Sequence, residues 1–277
     1  MEKIKLLLIL ISLFSISSVS YAQYYQSTMI EYAPLFIIKN SVNKEIRDAD
    51  AEVLKTNKVK EVLVKNDAGK YTHKMLVNNF GYIEDYMLFD PVDERLTAQW
   101  RFGYDANTNL TAVTRKEGRI RMSYIFTYEK NLLASIHIDS SGIESQYDFA
   151  YTSDNKITKA TLLDLVKDTV AEKYFFGYDS YGRLIKVNDE KKSDLLCDIS
   201  YTDNSINIFI KDEYSFIYEL KNKRISEELY SLLGLGPSNY SVVIKYFYDE
   251  NGLITEVQKT MDNIYTSEKY EYVFYTP

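Results

Sequence analysis

The chain is poor in the residues that crosslink proteins or bind metals. It has 277 residues but only one cysteine and two histidines. A single cysteine allows no disulfide within the chain, so packing and backbone pairing must stabilise the fold. Cys197 lies in the alternating stretch DLLCDIS, on the same strand side as Leu195 and Ile199, and we expect it to be a buried small side chain. Two histidines and one cysteine argue against a zinc site, and we expect no cofactor.

The chain also lacks an excess of positive charge. Its formal net charge is −7. Nucleic acids and anionic membrane surfaces attract basic proteins, so we expect neither as a partner.

A long apolar run is missing except near the start. The run LLLILISLF follows Lys3 and Lys5 and precedes Ser20, Tyr21 and Ala22, which is the pattern of a secretory signal peptide. The run is too short to span a bilayer, which needs ~20 residues. We therefore expect a secreted, periplasmic or cell-surface protein without a transmembrane helix. The predicted organisation is a signal peptide at residues 1–22, a capping segment at 23–57 and a repeat domain at 58–277.

Proline is scarce, with 4 residues, whereas tyrosine occurs 26 times and phenylalanine 13 times. Tyrosine favours strands, where its ring packs and its hydroxyl reaches a polar partner. The tyrosines recur in a repeat of aromatic-x-Tyr, a short polar turn, and then Leu or Ile. The anchor positions of this repeat are Tyr104, Tyr128, Tyr151, Tyr178, Tyr201, Tyr218, Tyr248 and Tyr275, with weaker copies at Val77 and Val64.

Each copy predicts one β-hairpin. Apolar, mostly aromatic residues stand two and four positions before the anchor, and small or polar residues stand between them, which is the period of a half-buried antiparallel strand. The polar turn after the anchor closes the hairpin. We therefore predict an all-β fold, an antiparallel meander of about nine hairpin repeats that forms a large curled sheet with a short N-terminal cap. The curling is expected because open sheets rarely exceed ~10 strands without bending.

Two segments have a helical pattern. NKEIRDADAEVLK, residues 43–55, predicts a short helix or a polar strand. SEELYSLLG predicts a helix with Ser226 as its N-cap and Gly234 after its end.

Two of the turns carry a more specific motif. YDSYGRLIKV contains Tyr178, Asp179, Gly182, Arg183, Leu184 and Val187, and YDENGLITEV contains Tyr248, Asp249, Gly252, Leu253 and Val257. These stretches resemble the YD repeat of Rhs-type proteins, roughly Tyr-Asp-x-x-Gly-Arg-Leu-x-x-Val. The resemblance extends over about residues 60–277 and implies hairpins joined side by side into a spiralling sheet. It also implies an association with carbohydrate binding and cell-surface adhesion. We expect this chain to be a short member of the family without a toxin module.

Two polar clusters are candidates for chemical sites. His137 and Asp139 share a strand face, with Ser140 and Ser141 in the turn beyond, which invites a hydrolase hypothesis, but proximity in sequence does not make a catalytic triad. Asp48, Asp50 and Glu52 begin like a calcium loop, but Val53 stands where the turn glycine is needed. A solvated surface is the favoured interpretation of both clusters, and we expect no enzyme.

The aromatic columns are the remaining candidate for a binding site. Trp100, Tyr124, Tyr147 and Tyr174 stand four residues before their anchors. Packing in the core is their favoured role, but on a concave face such rings would stack on sugars. The first functional hypothesis is thus a non-enzymatic binding or structural module of the cell envelope, with an extracellular glycan or a protein as partner. The alternative is an outer-membrane β-barrel, and a hydrolase ranks third.

Overall fold

The computed structural model describes residues 48–190, 195–210, 214–222, 224–232, 241–261 and 263–276. The predicted signal peptide and the first part of the predicted capping segment, residues 23–47, lie outside the described residues.

The described chain contains 18 strands that follow one another from residue 59 onwards. Nine of them, the even-numbered strands, contain the repeat anchors or end just before them. The strands are β1 (Val59–Asn66), β2 (Tyr71–Val77), β3 (Ile83–Phe89), β4 (Leu96–Tyr104), β5 (Leu110–Glu117), β6 (Ile120–Glu129), β7 (Leu132–Ser140), β8 (Ile143–Tyr151), β9 (Ile157–Asp164), β10 (Thr169–Tyr178), β11 (Leu184–Asp189), β12 (Leu195–Tyr201), β13 (Ser205–Ile210), β14 (Tyr214–Lys221), β15 (Arg224–Leu232), β16 (Ser241–Tyr248), β17 (Ile254–Met261) and β18 (Ile264–Phe274).

The 18 strands form one closed antiparallel barrel. Each strand pairs with its neighbours in the chain, and β18 pairs with β1. The fold predicted from the sequence, an open curled sheet of about nine hairpin repeats, is therefore wrong. Closure has a physical reason, because an open sheet exposes the unpaired backbone groups of two edge strands, and none of the described strands is left at an edge.

The first strand completes the last copy of the repeat. The last copy of the repeat supplies β18, which pairs with β17 on one side. β1 pairs with the other side of β18, with Leu63 opposite Glu271 and Val64 opposite Tyr270. An ion pair between Lys65 and Glu271, with Nζ 2.8 Å from Oε1, reinforces the seam on the outside. Val64 is therefore a residue of the closing strand and not an anchor.

Strand alternation separates an apolar interior from a polar exterior. On β4, Ala98, Trp100 and Phe102 are buried, whereas Gln99 and Arg101 point outwards. All 18 strands contribute to a single buried apolar cluster. The inward side chains of this cluster are almost fully buried, so the interior of the described barrel is apolar.

Residues 48–56 form a helix that covers part of one barrel end. Ala51 and Leu54 of this helix are buried. A Cβ on Gly81 would lie 1.9 Å from the carbonyl oxygen of Ala51, so the turn between β2 and β3 needs glycine to accept the helix. Of the two structures considered for this segment, the described part adopts the helix. Within the part of the chain that the structure describes, no helical segment has the length and apolarity of a membrane span.

The helix predicted over SEELYSLLG is wrong in its described part. Ser226 to Leu232 belong to β15, which pairs with β14 and β16. The segment has good helix formers, but a helix there would leave both neighbouring strands unpaired. Tertiary pairing therefore overrides the weak local preference.

Candidate functional site

The anchor tyrosines join neighbouring strands through their hydroxyl groups. The Tyr178 hydroxyl donates a 3.0 Å hydrogen bond to the carbonyl of Ile157 at the start of β9, the strand before it. Tyr104, Tyr128, Tyr151, Tyr201 and Tyr248 make the same bond to the first or second residue of the preceding strand, at 2.6–3.0 Å. The anchor tyrosines of the repeat thus stabilise the pairing of their strand with the preceding strand. We call this contact the fastening bond.

The aspartate that follows the anchor organises the turn. Asp179 Oδ1 accepts the backbone N–H groups of Tyr181 and Arg183 at 3.0 and 2.8 Å. Asp105 and Asp249 accept the N–H groups two and four residues after themselves in the same way. These bonds satisfy donors that the tight turn leaves without a strand partner.

The glycine of the motif occupies a left-handed backbone position. Gly182 has φ 80° and Gly252 has φ 78°. Where the Tyr104 turn lacks glycine, Thr108 adopts φ 64° instead. Such a conformation is unstrained only for glycine.

The rest of the best motif is also engaged in structure. Arg183 Nε donates to Asp179 Oδ2 at 2.8 Å, and its guanidinium lies 4.5 Å from the ring centre of Tyr201. Leu184 and Val187 are buried. Every motif residue of this copy therefore has a packing or hydrogen-bonding task, and the motif itself supplies no reactive group.

Two anchors differ from their sequence assignment. In the last copy the fastening bond comes from Tyr272, whose hydroxyl donates to Ile254 at 2.8 Å, while Tyr275 reaches the carbonyl of Val77 across the seam. In β14, Tyr218 is fully buried, and the β-bulge found beside most other anchors occurs at Leu220. The strand register shows these shifts, and an aromatic pattern alone does not.

The four rings considered for sugar stacking lie inside the barrel. Trp100, Tyr124, Tyr147 and Tyr174 are 2, 2, 4 and 2% exposed. Trp100 packs against Tyr86 with ring centres 5.3 Å apart. The stacking role stays a prediction. A sugar would have to enter the buried interior of the barrel to reach these four rings.

The interior also holds a buried carboxylate. Glu228 is 2% exposed and accepts hydrogen bonds from the hydroxyl groups of Tyr230 and Tyr246, the latter at 2.7 Å. Burial, together with the charge of Glu228, raises the pKa of both tyrosines well above 10. Two hydroxyl donors compensate the desolvation of one charge, so this trio is a satisfied polar element of the core.

A second polar group lies around His73, near the closing seam. The His73 ring is 4% exposed, with Nδ1 2.8 Å from Thr72 Oγ1 and 3.7 Å from Glu268 Oε1. Burial lowers the pKa of His73 to about 3. Burial also lowers the pKa of Lys259 to about 8, although the negative charge of Glu268 acts to raise it. Sequence reasoning missed this cluster, since its members are far apart along the chain. The groups resemble acid–base residues, but their burial gives a substrate no access.

The hydrolase candidates lie at an ordinary hairpin end. His137 and Asp139 point outwards from β7, opposite Ile125 and Ser123 of β6. Asp139 Oδ1 accepts the N–H of Gly142 at 3.0 Å, and Ser141 Oγ donates to the carbonyl of Arg121 at 3.2 Å. Among the described contacts, none joins a serine hydroxyl to His137, so the structure does not assemble a nucleophile and its base.

The acidic cluster lies on the capping helix rather than in a loop. Asp50 Oδ1 is 3.1 Å from Arg224 Nη2, and Glu52 is 3.3 Å from Lys55. These ion pairs tie the helix to β15 and to itself. Over the described ranges, no three His, Cys, Asp or Glu side chains are placed to hold a metal ion.

The outer wall carries charged pairs at the middle of its strands. They connect neighbouring strands in several sectors of the barrel, including the centre of β2 and of β10. The pairs are Glu61–Lys74 at 2.7 Å, Lys173–Glu190 at 2.9 Å, Asp85–Arg101 at 3.5 Å and Glu227–Lys245 at 3.7 Å. Exposed apolar residues such as Ile125, Phe175 and Phe247 stand singly among them.

Comparisons with known proteins give distant structural likenesses. No protein-family model matches the chain. No curated protein matches it either. A porin-like protein from Bacteroides uniformis has 10% identity and a TM-score of 0.44, over 78% of this chain and 97% of that one. A porin-like protein from Bacteroides vulgatus has 11% identity and a TM-score of 0.34, over 78% and 98%.

The Tc holotoxin pore of Photorhabdus luminescens has 9% identity and a TM-score of 0.30, over 71% of this chain but 14% of that one. Such low identities and TM-scores transfer neither fold detail nor function to this chain.

Proposed function

We propose that the chain is a β-barrel protein of the cell envelope whose wall faces water and which acts through its outer surface, without catalysis. The observation that carries the proposal is the division of the described barrel into a buried apolar interior and a charged exterior.

Closure of the sheet favours the barrel hypothesis over the open binding module. The module was inferred from a curled sheet with a concave aromatic face, and the closed barrel has no such face. The pairing of β18 with β1 instead provides the architecture that an outer-membrane β-barrel requires.

The outward charges argue that the wall lies in water rather than in lipid. Barrels that span a membrane present an apolar band ~25 Å tall, and each Lys or Arg at its centre costs about 2–4 kcal/mol. Here Lys74, Lys173 and Lys245 stand in the middle of their strands. Each has an acidic partner on a neighbouring strand or loop, an arrangement typical of a solvated sheet.

The interior argues against conduction. Residues that would line a channel, such as Val64, Met75, Val113 and Val187, have no exposed surface at all. Within the described residues, this burial of inward side chains argues against a wide water-filled channel. We therefore propose that the protein acts through the outer surface of the barrel.

The envelope location is supported by the signal-peptide pattern of residues 1–22.

Detergent dependence tests the proposal. Residues 23–277, expressed without the signal peptide, should stay monodisperse and β-rich in buffer at 0.15 M salt, and should not partition into phosphatidylcholine vesicles. A protein that precipitates without detergent and inserts into those vesicles would contradict a water-facing wall. That result would favour the second candidate, a barrel that spans the outer membrane, which closure alone equally supports.

A further inference from the structure

The outer wall has a hollow of about 460 Å³ over strands β4 to β7. Strand register builds it from two adjacent rows of side chains. In the first row, Lys116 of β5 stands between Gln99 of β4 and Arg121 of β6. In the second row, Thr114 of β5 stands between Arg101 of β4 and Ser123 of β6, and Asp139 of β7 lies opposite Ser123. The volume is within the range of small-molecule sites, ~300–1,000 Å³.

The first row brings two cations face to face. Lys116 and Arg121 lie directly opposite each other and are both exposed. Like charges in this position destabilise a sheet. Within the described ranges, no carboxylate lies within 4.0 Å of either side chain, whereas several other outward cations have cross-strand acidic partners. This concentration of positive charge stands out in a chain of net charge −7.

The acidic groups near the hollow are already engaged. The carboxylate of Asp85 accepts both of its hydrogen bonds from Gln99, at 2.8 and 2.9 Å, and also lies 3.5 Å from Arg101. Asp139 caps its own turn through the N–H of Gly142. Neither is placed to neutralise Lys116 and Arg121.

The second row offers hydroxyl groups beside the cations. Thr114 and Ser123 both line the hollow. The first row can therefore attract an anionic group that bridges Lys116 and Arg121. The hydroxyl groups of Thr114 and Ser123, between Arg101 and Asp139, can hydrogen-bond hydroxyl groups of the same ligand.

We propose that this hollow is a binding site for a hydroxylated organic anion of about monosaccharide size that carries a carboxylate or a phosphate. The inference rests on the proposed function, because the wall must face water for the site to be accessible.

Titration of isotope-labelled protein, followed by amide chemical shifts at 0.15 M salt, tests the site with three probes: glucuronate, glucose 6-phosphate and glucose. We expect saturable shifts on β5 and β6 with at least one of the two anions, and no binding of glucose. The preferred anion identifies carboxylate or phosphate as the recognised group. Absence of saturable binding by both anions, or equal binding of glucose, would overturn the proposal.

Variants separate the two rows. Lys116→Gln with Arg121→Gln should weaken anion binding at least tenfold, whereas Lys159→Gln with Lys186→Gln, which removes two other outward cations, should leave it unchanged. Thr114→Val with Ser123→Ala should weaken glucuronate or glucose 6-phosphate but not inorganic phosphate. Equal affinity of the Lys116/Arg121 variant and wild type would refute the site.

Stability provides the internal control. The Lys116/Arg121 variant should melt at or above the wild-type temperature, because it removes a repulsion, so its loss of binding is not a loss of fold. Detergent dependence is measured separately, and its failure would refute the water-facing wall whatever the titration shows.

Discussion

Adjacent residues of one strand have opposite surroundings in this barrel. Phe176 faces the interior and is 8% exposed, whereas Phe175 faces outwards and is 38% exposed. The two side chains are identical, so a comparison between them isolates the effect of facing.

Phe176→Ala should lower the free energy of unfolding by about 3–5 kcal/mol, the usual cost of removing a buried ring. Phe175→Ala should cost about 1 kcal/mol, because much of its surface is already in water. Urea melts of the two variants measure the difference. Equal losses would mean that the wall is covered on both sides, and the proposed exposed exterior would fail.

His73 is a residue whose burial makes stability depend on pH. Its pKa falls from 6.5 to about 3 on folding because burial disfavours the charged ring. Below pH 6.5 the His73 ring therefore binds a proton in the unfolded chain but not in the folded chain. Stability is lost as pH falls from 6.5 towards 3.

The loss due to His73 should reach about 2.5–3 kcal/mol by pH 4.5. His73→Gln should shrink the difference in urea midpoint between pH 7 and pH 4.5, although the variant is less stable at both. His137→Gln removes the other histidine, from the outward face, and should keep the wild-type difference. An unchanged difference in His73→Gln would show that other groups dominate the acid response.

At the scale of the hairpin, the anchor hydroxyl is the contact that repeats. Tyr178 bonds the Ile157 carbonyl from a half-buried position, and its loss leaves that carbonyl without this donor. The same bond recurs along the barrel, so the effect of one substitution estimates the contribution of every copy.

Tyr178→Phe should reduce stability by about 1 kcal/mol, which is typical for one intramolecular hydrogen bond. Tyr181→Phe is the matched control, because Tyr181 lies three residues later in the same turn and is 84% exposed. Chemical denaturation should find the control within experimental error of wild type. A Tyr178→Phe variant as stable as the control would show that the ring, and not the hydroxyl, fastens the hairpin.

At the scale of the whole molecule, the seam between β1 and β18 turns a sheet into a barrel. Leu63 and Glu271 face each other on the outside of this seam. Opposite residues of antiparallel strands have Cα atoms about 4.5–5.5 Å apart, within the range that a disulfide spans.

Leu63→Cys with Glu271→Cys, in a Cys197→Ala background, should form a disulfide on mild oxidation and run faster on a non-reducing gel. Leu63→Cys with Thr255→Cys places the thiols two strands apart and should stay reduced. Failure of the first pair to crosslink in folded protein would contradict closure and restore an open sheet.

The sequence by itself determined the hairpins. The alternation around Phe176, the turn at Gly182 and the burial of Cys197 follow from neighbours a few residues away, and the structure agrees with each. These features are local, because a strand face and a turn depend on the period of the side chains and on backbone sterics.

Only the tertiary structure decided what the hairpins build. Closure joins β1 to β18 across more than 200 residues, and no local pattern marks VKEVLVKN as the partner of the final half copy. The same distance hides the His73 and Glu228 clusters and the row of Gln99, Lys116 and Arg121, whose members meet only through register. Twist and register accumulate over all 18 strands. The complete set of strands therefore decides whether the sheet closes and which face becomes the interior.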